Sequence, residues 1–191
     1  MTFEEAAATP QAGLLALQGL CGKREIRPGQ KVLVNGAGGG VGTFAIQIAK
    51  SFGAEVTGVD STCKQEMMSS LGSDHVIDYT KEDFTKNGKY YDLILDVKTD
   101  RSVFDYSRVL DSNGIYVSVG GKSARILQLV FIGSLFSMTG NKKLTLMMHK
   151  PNKQIENIKR LFETGKIKPV VDRCFTLSED PEAFQYFGEG H

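Results

Sequence analysis

The chain contains no tryptophan, only three cysteines among 191 residues, and no excess of charge of either sign. Lys and Arg number 23 against 22 Asp and Glu, so the charge balance gives no electrostatic signature of a nucleic-acid or anionic-membrane partner. Cys21, Cys63 and Cys174 lie far apart and lack the spacing of a metal site. We therefore expect reduced thiols and no nucleic-acid partner.

The chain also lacks an apolar run long enough to cross a bilayer. Its most apolar stretch, 124–138, is shorter than the roughly 20 residues that a membrane helix needs, and it contains Arg125 and Gln128. The opening residues, MTFEEAAATPQ, are acidic and lack the basic region of a signal peptide. We expect a cytoplasmic protein without a membrane partner, and we interpret 124–138 as a pocket wall or subunit contact.

Glycine, in contrast, is abundant, and five of the 21 glycines fall between positions 36 and 42 in the stretch NGAGGGVGTFAIQIAK. Before this cluster, KVLVNGA (31–37) predicts a short buried strand. After it, Val41, Ala45, Ile48 and Phe52 recur at helical spacing. The sequence therefore predicts a strand, a glycine-rich turn and a helix in direct succession.

Strands and helices continue to alternate along the chain. We predict further strands over 54–60, 75–79, 92–97 and 114–121, and helices over 64–71 and 100–110. A helix over 10–21, with Thr9 as its N-cap, precedes the first strand. This alternation is typical of an α/β fold with a doubly wound parallel sheet, Rossmann-like, whose connections are right-handed crossovers.

The alternation breaks after Gly121. Residues 122–148 mix apolar positions with a turn at 139–143, and 152–165 predict an amphipathic helix. Residues 166–177 read as an extended segment, and Asp180-Pro181 predicts the cap and first position of a last helix that ends at Gly188.

The glycine cluster fits a nucleotide-binding turn. It matches AxGxxG through Ala37, Gly39 and Gly42, and Asp60 follows 18 residues after Gly42, near the spacing at which an acid binds an adenosine ribose. The helix N-terminus beyond the turn is a natural anion site. A ligand-free glycine turn and a methyl-donor-binding fold are the alternatives, although the latter more often has an acid where Asn35 stands.

Four stretches together resemble a known family: TFEEAAATPQAGLLAL, RPGQKVLVNGAGGGVGTFAIQIAK, LGSDHVIDYTKEDF and GKIKPVVDRCFTLSEDPEAFQYFGEGH. They are similar to the medium-chain dehydrogenase/reductase superfamily, in its zinc-independent, quinone-oxidoreductase-like branch. The resemblance implies an NAD(P)H-dependent reductase of a small quinone or α,β-unsaturated carbonyl. It also implies a dinucleotide-binding domain over 1–150, and over 151–191 a short return segment towards a GroES-like catalytic domain that we expect to be absent from this chain.

The same resemblance bears on zinc. Zinc-dependent relatives place a cysteine ligand where Ala8–Pro10 stand here, and none of these residues can bind zinc. His75, His149 and His191 are scattered and fit surface or strand positions better than a ligand set. We therefore expect no zinc.

The candidate coenzyme contacts come from the glycine motif, the strand ends and the resemblance. They are Ala37, Gly38, Gly39, Gly40, Val41, Gly42, Asp60, Ser61, Thr62, Lys64, Tyr79, Asp96, Val97, Val119, Gly120 and Gly121. Asp96 fits an internal loop cap equally well, and Gly120-Gly121 a plain turn. Tyr79, which the resemblance places near the adenosine, could also donate a proton, but no catalytic residue is assigned.

The choice of coenzyme stays open at this point. Ser61, Thr62 and Lys64 could bind a 2′-phosphate, which favours NADP(H), whereas Asp60 favours the free ribose diol of NAD(H). Three other functions compete with the reductase: a zinc-type alcohol dehydrogenase with another substrate, a non-catalytic dinucleotide-binding module, and a methyl-donor-dependent transferase. Homodimerisation through an edge strand is a further hypothesis.

Overall fold

A computed structural model describes residues 1–139 and 141–189, with side chains outside 134–139. Within these ranges six strands form one parallel sheet: β1 Lys31–Asn35, β2 Glu55–Asp60, β3 His75–Asp78, β4 Tyr91–Asp96, β5 Leu110–Ser118 and β6 Lys143–Leu146. The strand order is β3-β2-β1-β4-β5-β6, which reverses direction between β1 and β4. This is the order of a doubly wound dinucleotide fold, so the predicted fold class is confirmed.

The described ranges contain eight helices: α1 Phe3–Ala8, α2 Pro10–Cys21, α3 Gly40–Ser51, α4 Gln65–Ser70, α5 Val103–Val109, α6 Ser123–Thr139, α7 Ile155–Glu163 and α8 Asp180–Gly188. Short 3₁₀ turns at Thr62–Lys64 and Leu177–Glu179 lead into α4 and α8.

The central strand β1 is buried on both faces of the sheet, which accounts for its short, continuous apolar run. Val32 and Val34 are fully buried in a core cluster that includes residues of α2, α3 and α7. Leu33, between them, is fully buried in a second cluster with residues of α5 and α6. Because helices cover both faces of the sheet, both alternating sets of side chains must be apolar.

Two elements differ from the sequence expectations at the N-terminus. Residues 3–8, for which no helix was predicted, form α1, and Thr2 caps it through a capping box with Glu5. Thr9 is the N-cap residue of α2, as predicted, but its side chain does not cap the helix: Thr9 has helical dihedral angles, and its hydroxyl donates to the Glu5 carbonyl at 2.6 Å. Because α1 leads straight into α2, no extended capping residue separates them.

The region after Gly121 also holds more structure than the sequence predicted. Helix α6 and strand β6 lie where only a mixed apolar region was expected, and β6 pairs with β5 from Ile115 to Ser118. Position 140 of the predicted 139–143 turn lies outside the described residues. Glu179, and not Asp180, is the N-cap residue of α8, because the Thr176–Glu179 capping box starts the turn earlier.

The C-terminal part is attached to the Rossmann body at several points. Ile158 of α7 and Ile167 are buried in the same core cluster as α2 and α3. The side chain of Gln47 in α3 accepts from the Lys168 N–H and donates to its carbonyl, at 2.8 and 2.9 Å. The division of the chain at residue 150 stays a prediction, but residues up to 168 pack on the sheet's helical layer.

Candidate functional site

The glycine-rich turn connects the carboxyl end of β1 to α3. Gly36 has a φ of +82°, a conformation that glycine adopts without strain, and it turns the chain directly after Asn35. The N–H groups of Gly36 and Ala37 donate to the Val59 carbonyl at 3.0 and 3.1 Å. The turn is therefore fixed against the end of β2.

Two glycines of the turn have different roles. A Cβ on Gly42 would lie 2.2 Å from the Gly36 carbonyl oxygen, so only glycine lets α3 approach the turn this closely. A Cβ on Gly39 would meet its nearest atom, that same oxygen, only at 3.7 Å. The protein itself therefore leaves room at Gly39, whereas the space at Gly42 is already filled.

The N-terminus of α3 has no side-chain cap. Its first turn holds Gly40, Val41 and Gly42, and the first N–H groups of any α-helix lack partners within the helix. Together with the positive end of the helix dipole, these donors form a site for an anion such as a diphosphate.

Asp60, at the carboxyl end of β2, is bound to the glycine turn. Its Oδ2 accepts from the Gly38 N–H and its Oδ1 from the Ser61 N–H, both at 2.8 Å. The stem of Lys64 lies over the same glycine, because a Cβ on Gly38 would be 2.8 Å from Cβ and Cγ of Lys64. The anionic side chain of Asp60 and the cationic side chain of Lys64 therefore both lie against Gly38.

Thr62 contacts the buried carboxylate of Asp78, and Tyr79 is the next residue in the chain. The Thr62 hydroxyl donates to Asp78, which also accepts from the N–H and hydroxyl of Thr80. These hydrogen bonds, with that of Thr62 the largest, hold the pKa of Asp78 well below its ordinary range. Thr62 is therefore engaged away from the glycine turn, whereas Tyr79 is about half exposed.

A cleft of about 440 Å³ opens beside the glycine turn, at the carboxyl ends of β1 and β2. Its walls bring together four of the predicted residues, Asp60, Ser61, Lys64 and Tyr79, with Gly36 of the glycine turn beside them. Its charged lining consists of Lys64, Lys98, Arg101 and Lys122 against Asp60 and Asp100. Cations outnumber acids, which suits a ligand with several phosphates.

Three of these cations were not predicted as site residues. Lys98 and Arg101 follow β4 and Lys122 follows β5, so a search for basic residues just after the strand ends would have found them. The Arg101 guanidinium is held by an ion pair with Asp83 at 2.8 Å and lies over the Phe84 ring, 4.9 Å from its centre. It therefore stands at the cleft wall in a fixed orientation.

Asp96 is used inside the protein. It is fully buried, its Oδ2 accepts from the Tyr116 hydroxyl at 2.7 Å, and its Oδ1 accepts from the Asn35 amide at 2.9 Å. The N–H of Thr99 donates to Oδ1 as well, at 2.8 Å. Since its oxygens already have these donors, Asp96 supports the strand ends, and we do not carry it forward as a coenzyme ligand.

The other residues predicted after β4 and β5 lie around a tight turn. The N–H of Val97 donates to the Asn35 carbonyl and that of Val119 to the Asp96 carbonyl, at 2.9 and 2.8 Å. Gly121 has a φ of +145°, and a Cβ there would be 2.5 Å from the Lys98 carbonyl oxygen. Gly120 has no such neighbour within 4 Å. None of the four lines the cleft, so a coenzyme contact for them stays a prediction.

Two further findings concern the described part of the chain. It contains no group of three or more His, Cys, Asp or Glu side chains that could hold a metal ion. His75 contacts Glu55 at 3.1 Å and His149 is exposed, while His191 lies outside the described residues. None of the helices in this part is both long and apolar enough to span a membrane.

Comparison with known families gives two matches. The family model described as zinc-binding dehydrogenase matches residues 71–191, and that described as alanine dehydrogenase/PNT, C-terminal domain, matches residues 5–97. The first covers more than half of the chain.

The chain is also similar to curated proteins. It is 33% identical to the mouse protein NAD(P)H oxidoreductase RTN4IP1, mitochondrial, over 100% of this chain and 54% of that protein. It is equally 33% identical to the trans-enoyl reductase pgmF of Aspergillus terreus, over 92% of this chain and 52% of that protein. The chain therefore spans about half the length of the curated relatives it matches.

Among solved structures, the quinone oxidoreductase from Coxiella burnetii superposes with a TM-score of 0.84 at 28% identity, over 100% of this chain and 59% of that one. The CurK enoyl reductase superposes with the same TM-score at 27% identity, over 99% of this chain and 60% of that one.

Proposed function

This chain belongs to the zinc-binding dehydrogenase family of the medium-chain dehydrogenase/reductase superfamily. On that premise we propose that it binds a nicotinamide dinucleotide and is the coenzyme-binding part of an NAD(P)H-dependent oxidoreductase. The substrate we propose is a quinone or an α,β-unsaturated carbonyl. The names of the relatives, which include a quinone oxidoreductase and enoyl reductases, support this substrate class.

The observation that carries the proposal is the uncapped N-terminus of α3 beside a bare backbone turn. The chain supplies neither a capping side chain at Gly39 nor a protein atom within 3.7 Å of where its Cβ would stand. In this fold, ligands bind outside the carboxyl ends of the strands, at the point where the strand order reverses. The turn lies at that point, after β1.

The residues present fit a dinucleotide. In this proposal the N–H groups of Gly40, Val41 and Gly42 donate hydrogen bonds to the diphosphate. The adenosine ribose is surrounded by Asp60, Ser61, Lys64 and Tyr79. The bound nicotinamide would supply the hydride. The part of this chain is to bind the dinucleotide, to orient it along the strand ends and to neutralise its phosphates.

We favour NADP(H) over NAD(H) as the coenzyme. Asp60, which would repel a 2′-phosphate, has each carboxylate oxygen bound to a backbone N–H group, and these donors offset its charge. Lys64 lies against the same glycine and lines the cleft. Cations also outnumber acids in that lining. A 2′-phosphate dianion would therefore meet a net positive wall.

We further propose that zinc takes no part in binding or chemistry on this chain. Ala8–Pro10 carry no zinc-ligating side chain at the position where zinc-dependent relatives place a cysteine. Addition of zinc to the isolated chain should leave its melting temperature unchanged at equimolar concentration. A specific stabilisation by zinc would favour the zinc-type alcohol dehydrogenase as the alternative function.

A thermal-shift titration with NADPH, NADH and S-adenosylmethionine tests the binding proposal. A ligand that binds only the folded state stabilises it by roughly 2.7 kcal/mol at a hundred times its Kd. We expect both nicotinamide coenzymes to raise the melting temperature, NADPH at lower concentration, and S-adenosylmethionine to have no effect. Stabilisation by S-adenosylmethionine alone would contradict the reductase proposal and favour a methyl-donor-dependent enzyme.

Oligomeric state and compartment are proposals of the same kind. Strand β6 lies at one edge of the sheet, and Leu127 and Phe131 of the adjacent α6 are exposed. We propose a homodimer through this edge, which light scattering would measure directly as twice the monomer mass. A cytoplasmic location stays a proposal beside a relative whose name places it in mitochondria.

A further inference from the structure

A second cavity lies at the opposite end of the sheet from the coenzyme cleft. Its walls include the first residue of each of four strands: Lys31 of β1, Glu55 of β2, His75 of β3 and Tyr91 of β4. The two ends of the six-residue strand β2 are roughly 16 Å apart at about 3.3 Å per residue. A molecule in this cavity would therefore not overlap the proposed dinucleotide site.

The cavity has a volume of about 290 Å³. Pockets that bind small organic molecules begin at about 300 Å³. The space therefore suits a compound of a few functional groups and is too small for a dinucleotide.

The Tyr91 hydroxyl is the unexplained group of this cavity. Tyr91 is 2% exposed, and its oxygen is buried without a hydrogen-bond partner among the described residues. Thr57 and Asn87 lie near enough to lower the pKa of the hydroxyl, and the carboxylates of Glu82 and Glu55 act on it in the opposite direction. Burying an unpaired hydroxyl is unfavourable, and such a group in a native structure calls for a missing partner.

The hydroxyl is available as a donor. Burial is the largest influence on the pKa of Tyr91 and raises it, so the group stays protonated at neutral pH. Thr57, also buried, brings a second hydroxyl to the same wall. Tyr91 and Thr57, which both carry hydroxyl groups, therefore lie in the wall of the cavity.

The charges at the rim favour an anion. Glu55 is already in contact with His75, whose Nε2 lies 3.1 Å from its Oε1. Lys31 and Lys89 also line the cavity, and neither ammonium group has an ion pair within the described ranges. Among the lining residues, two lysines therefore stand against one carboxylate, while the Glu82 carboxylate acts on the Tyr91 hydroxyl from outside the lining.

We propose that this cavity binds a small organic anion. Its carboxylate or phosphate group lies between Lys31 and Lys89, and one of its acceptor atoms receives the Tyr91 O–H. The ligand is separate from the coenzyme and from the substrate at the other end of the sheet. Its chemical class follows from the donors and cations that face it.

Two-dimensional ¹H–¹⁵N NMR of the chain, titrated with benzoate, phenyl phosphate and inorganic phosphate, tests the proposal. We expect saturable shifts of the backbone amides of Gly88, Lys89 and Tyr91 with at least one aromatic anion. The shifts should persist when NADPH saturates the coenzyme cleft. Benzoate and phenyl phosphate distinguish a carboxylate from a phosphate ligand, and inorganic phosphate shows whether charge alone suffices.

Variants connect the shifts to the named groups. Tyr91→Phe removes only the unpaired hydroxyl, so we expect at least a tenfold loss of affinity with a melting temperature lowered by less than roughly 2 °C. Lys89→Gln should weaken binding similarly, whereas Lys86→Gln, an exposed lysine nearby that does not line the cavity, should leave it unchanged.

Two outcomes overturn the proposal. The first is the absence of saturable shifts at these amides with all three probes, which means that the cavity holds water only. The second is a Tyr91→Phe variant that binds the anion as well as the wild type, because the hydroxyl then serves the fold and not a ligand. If Tyr91→Phe does not fold, equal binding by Lys89→Gln and the wild type decides in the same way.

Discussion

The Asp60 carboxylate accepts a hydrogen bond from the Gly38 N–H at 2.8 Å, which joins the end of β2 to the glycine turn after β1. Its other oxygen accepts from the Ser61 N–H at the same distance. The acid that would meet a coenzyme ribose thus also shapes the turn that would receive the diphosphate. Stability and coenzyme choice are therefore coupled at this residue.

Replacement of Asp60 by Ala should lower both stability and NADH affinity. A hydrogen bond to a charged group contributes about 1.5–3 kcal/mol, so we expect the free energy of unfolding to fall by roughly this amount. The affinity for NADH should fall more than that for NADPH, because the ribose diol loses its acceptor. Chemical denaturation and coenzyme titration measure the two effects. Asp100→Ala, the other acid of the cleft lining, is the control and should leave stability within about 0.5 kcal/mol.

Replacement of Lys64 by Gln should reduce NADPH affinity at least tenfold, equivalent to about 1.4 kcal/mol, and leave NADH affinity nearly unchanged. The reason is that the ammonium group would contact the 2′-phosphate, which NADH lacks. Fluorescence titration of both coenzymes measures the ratio. Lys159→Gln, an exposed lysine on α7, serves as control. An equal loss for both coenzymes would mean that Lys64 contacts a group they share.

Replacement of Gly42 by Ala should prevent correct packing of α3. The added Cβ would lie 2.2 Å from the Gly36 oxygen and 2.5 Å from the Ala37 Cα, and backbone atoms cannot move aside as a flexible side chain can. Overpacking costs about 1–3 kcal/mol, and we expect a loss at the upper end or above it. Thermal unfolding followed by circular dichroism measures the effect. Gly39→Ala, with open space at its Cβ, should melt near the wild-type temperature.

Asp78 predicts a specific loss of stability in acid. Hydrogen bonds, first from Thr62 and then from Thr80, hold its folded pKa below the ordinary aspartate value of 3.8. A carboxyl with a lowered folded pKa stabilises the protein above that value, and the contribution is lost as the pH falls below it towards the folded pKa. Asp78→Asn should therefore flatten the fall in melting temperature between about pH 5 and pH 2. An unchanged slope in this variant would show that other carboxyls account for the acid sensitivity.

Local signals in the sequence were sufficient for the central βαβ unit. The apolar run of β1, the glycines and the helical spacing from Val41 each report on a few consecutive residues, and together they identify the turn. The position of Asp60 at the end of β2 follows from its spacing of 18 residues after Gly42. These features depend on backbone conformation and burial, which short patterns encode directly.

The parts that escaped prediction depend on contacts between distant segments. Strand β6 is only four residues long and becomes a strand because β5 offers it an edge. Arg101 reaches the cleft because Asp83 and Phe84, on another loop, hold it there. The burial of Asp96 requires Tyr116 as a partner from the neighbouring strand. The spacing of residues in the sequence does not reveal such long-range contacts.

Isothermal titration calorimetry of NADPH with the wild type, Gly39→Val and Gly188→Val tests the central claim most directly. The protein has space for a side chain at both glycines, since neither has an atom closer than 3.7 Å to its Cβ position, so both variants should fold. We predict that wild type and Gly188→Val bind NADPH with the same Kd and that Gly39→Val binds at least tenfold more weakly, because its side chain occupies the space of the diphosphate. Equal Kd values for all three proteins would place the coenzyme elsewhere and contradict the account.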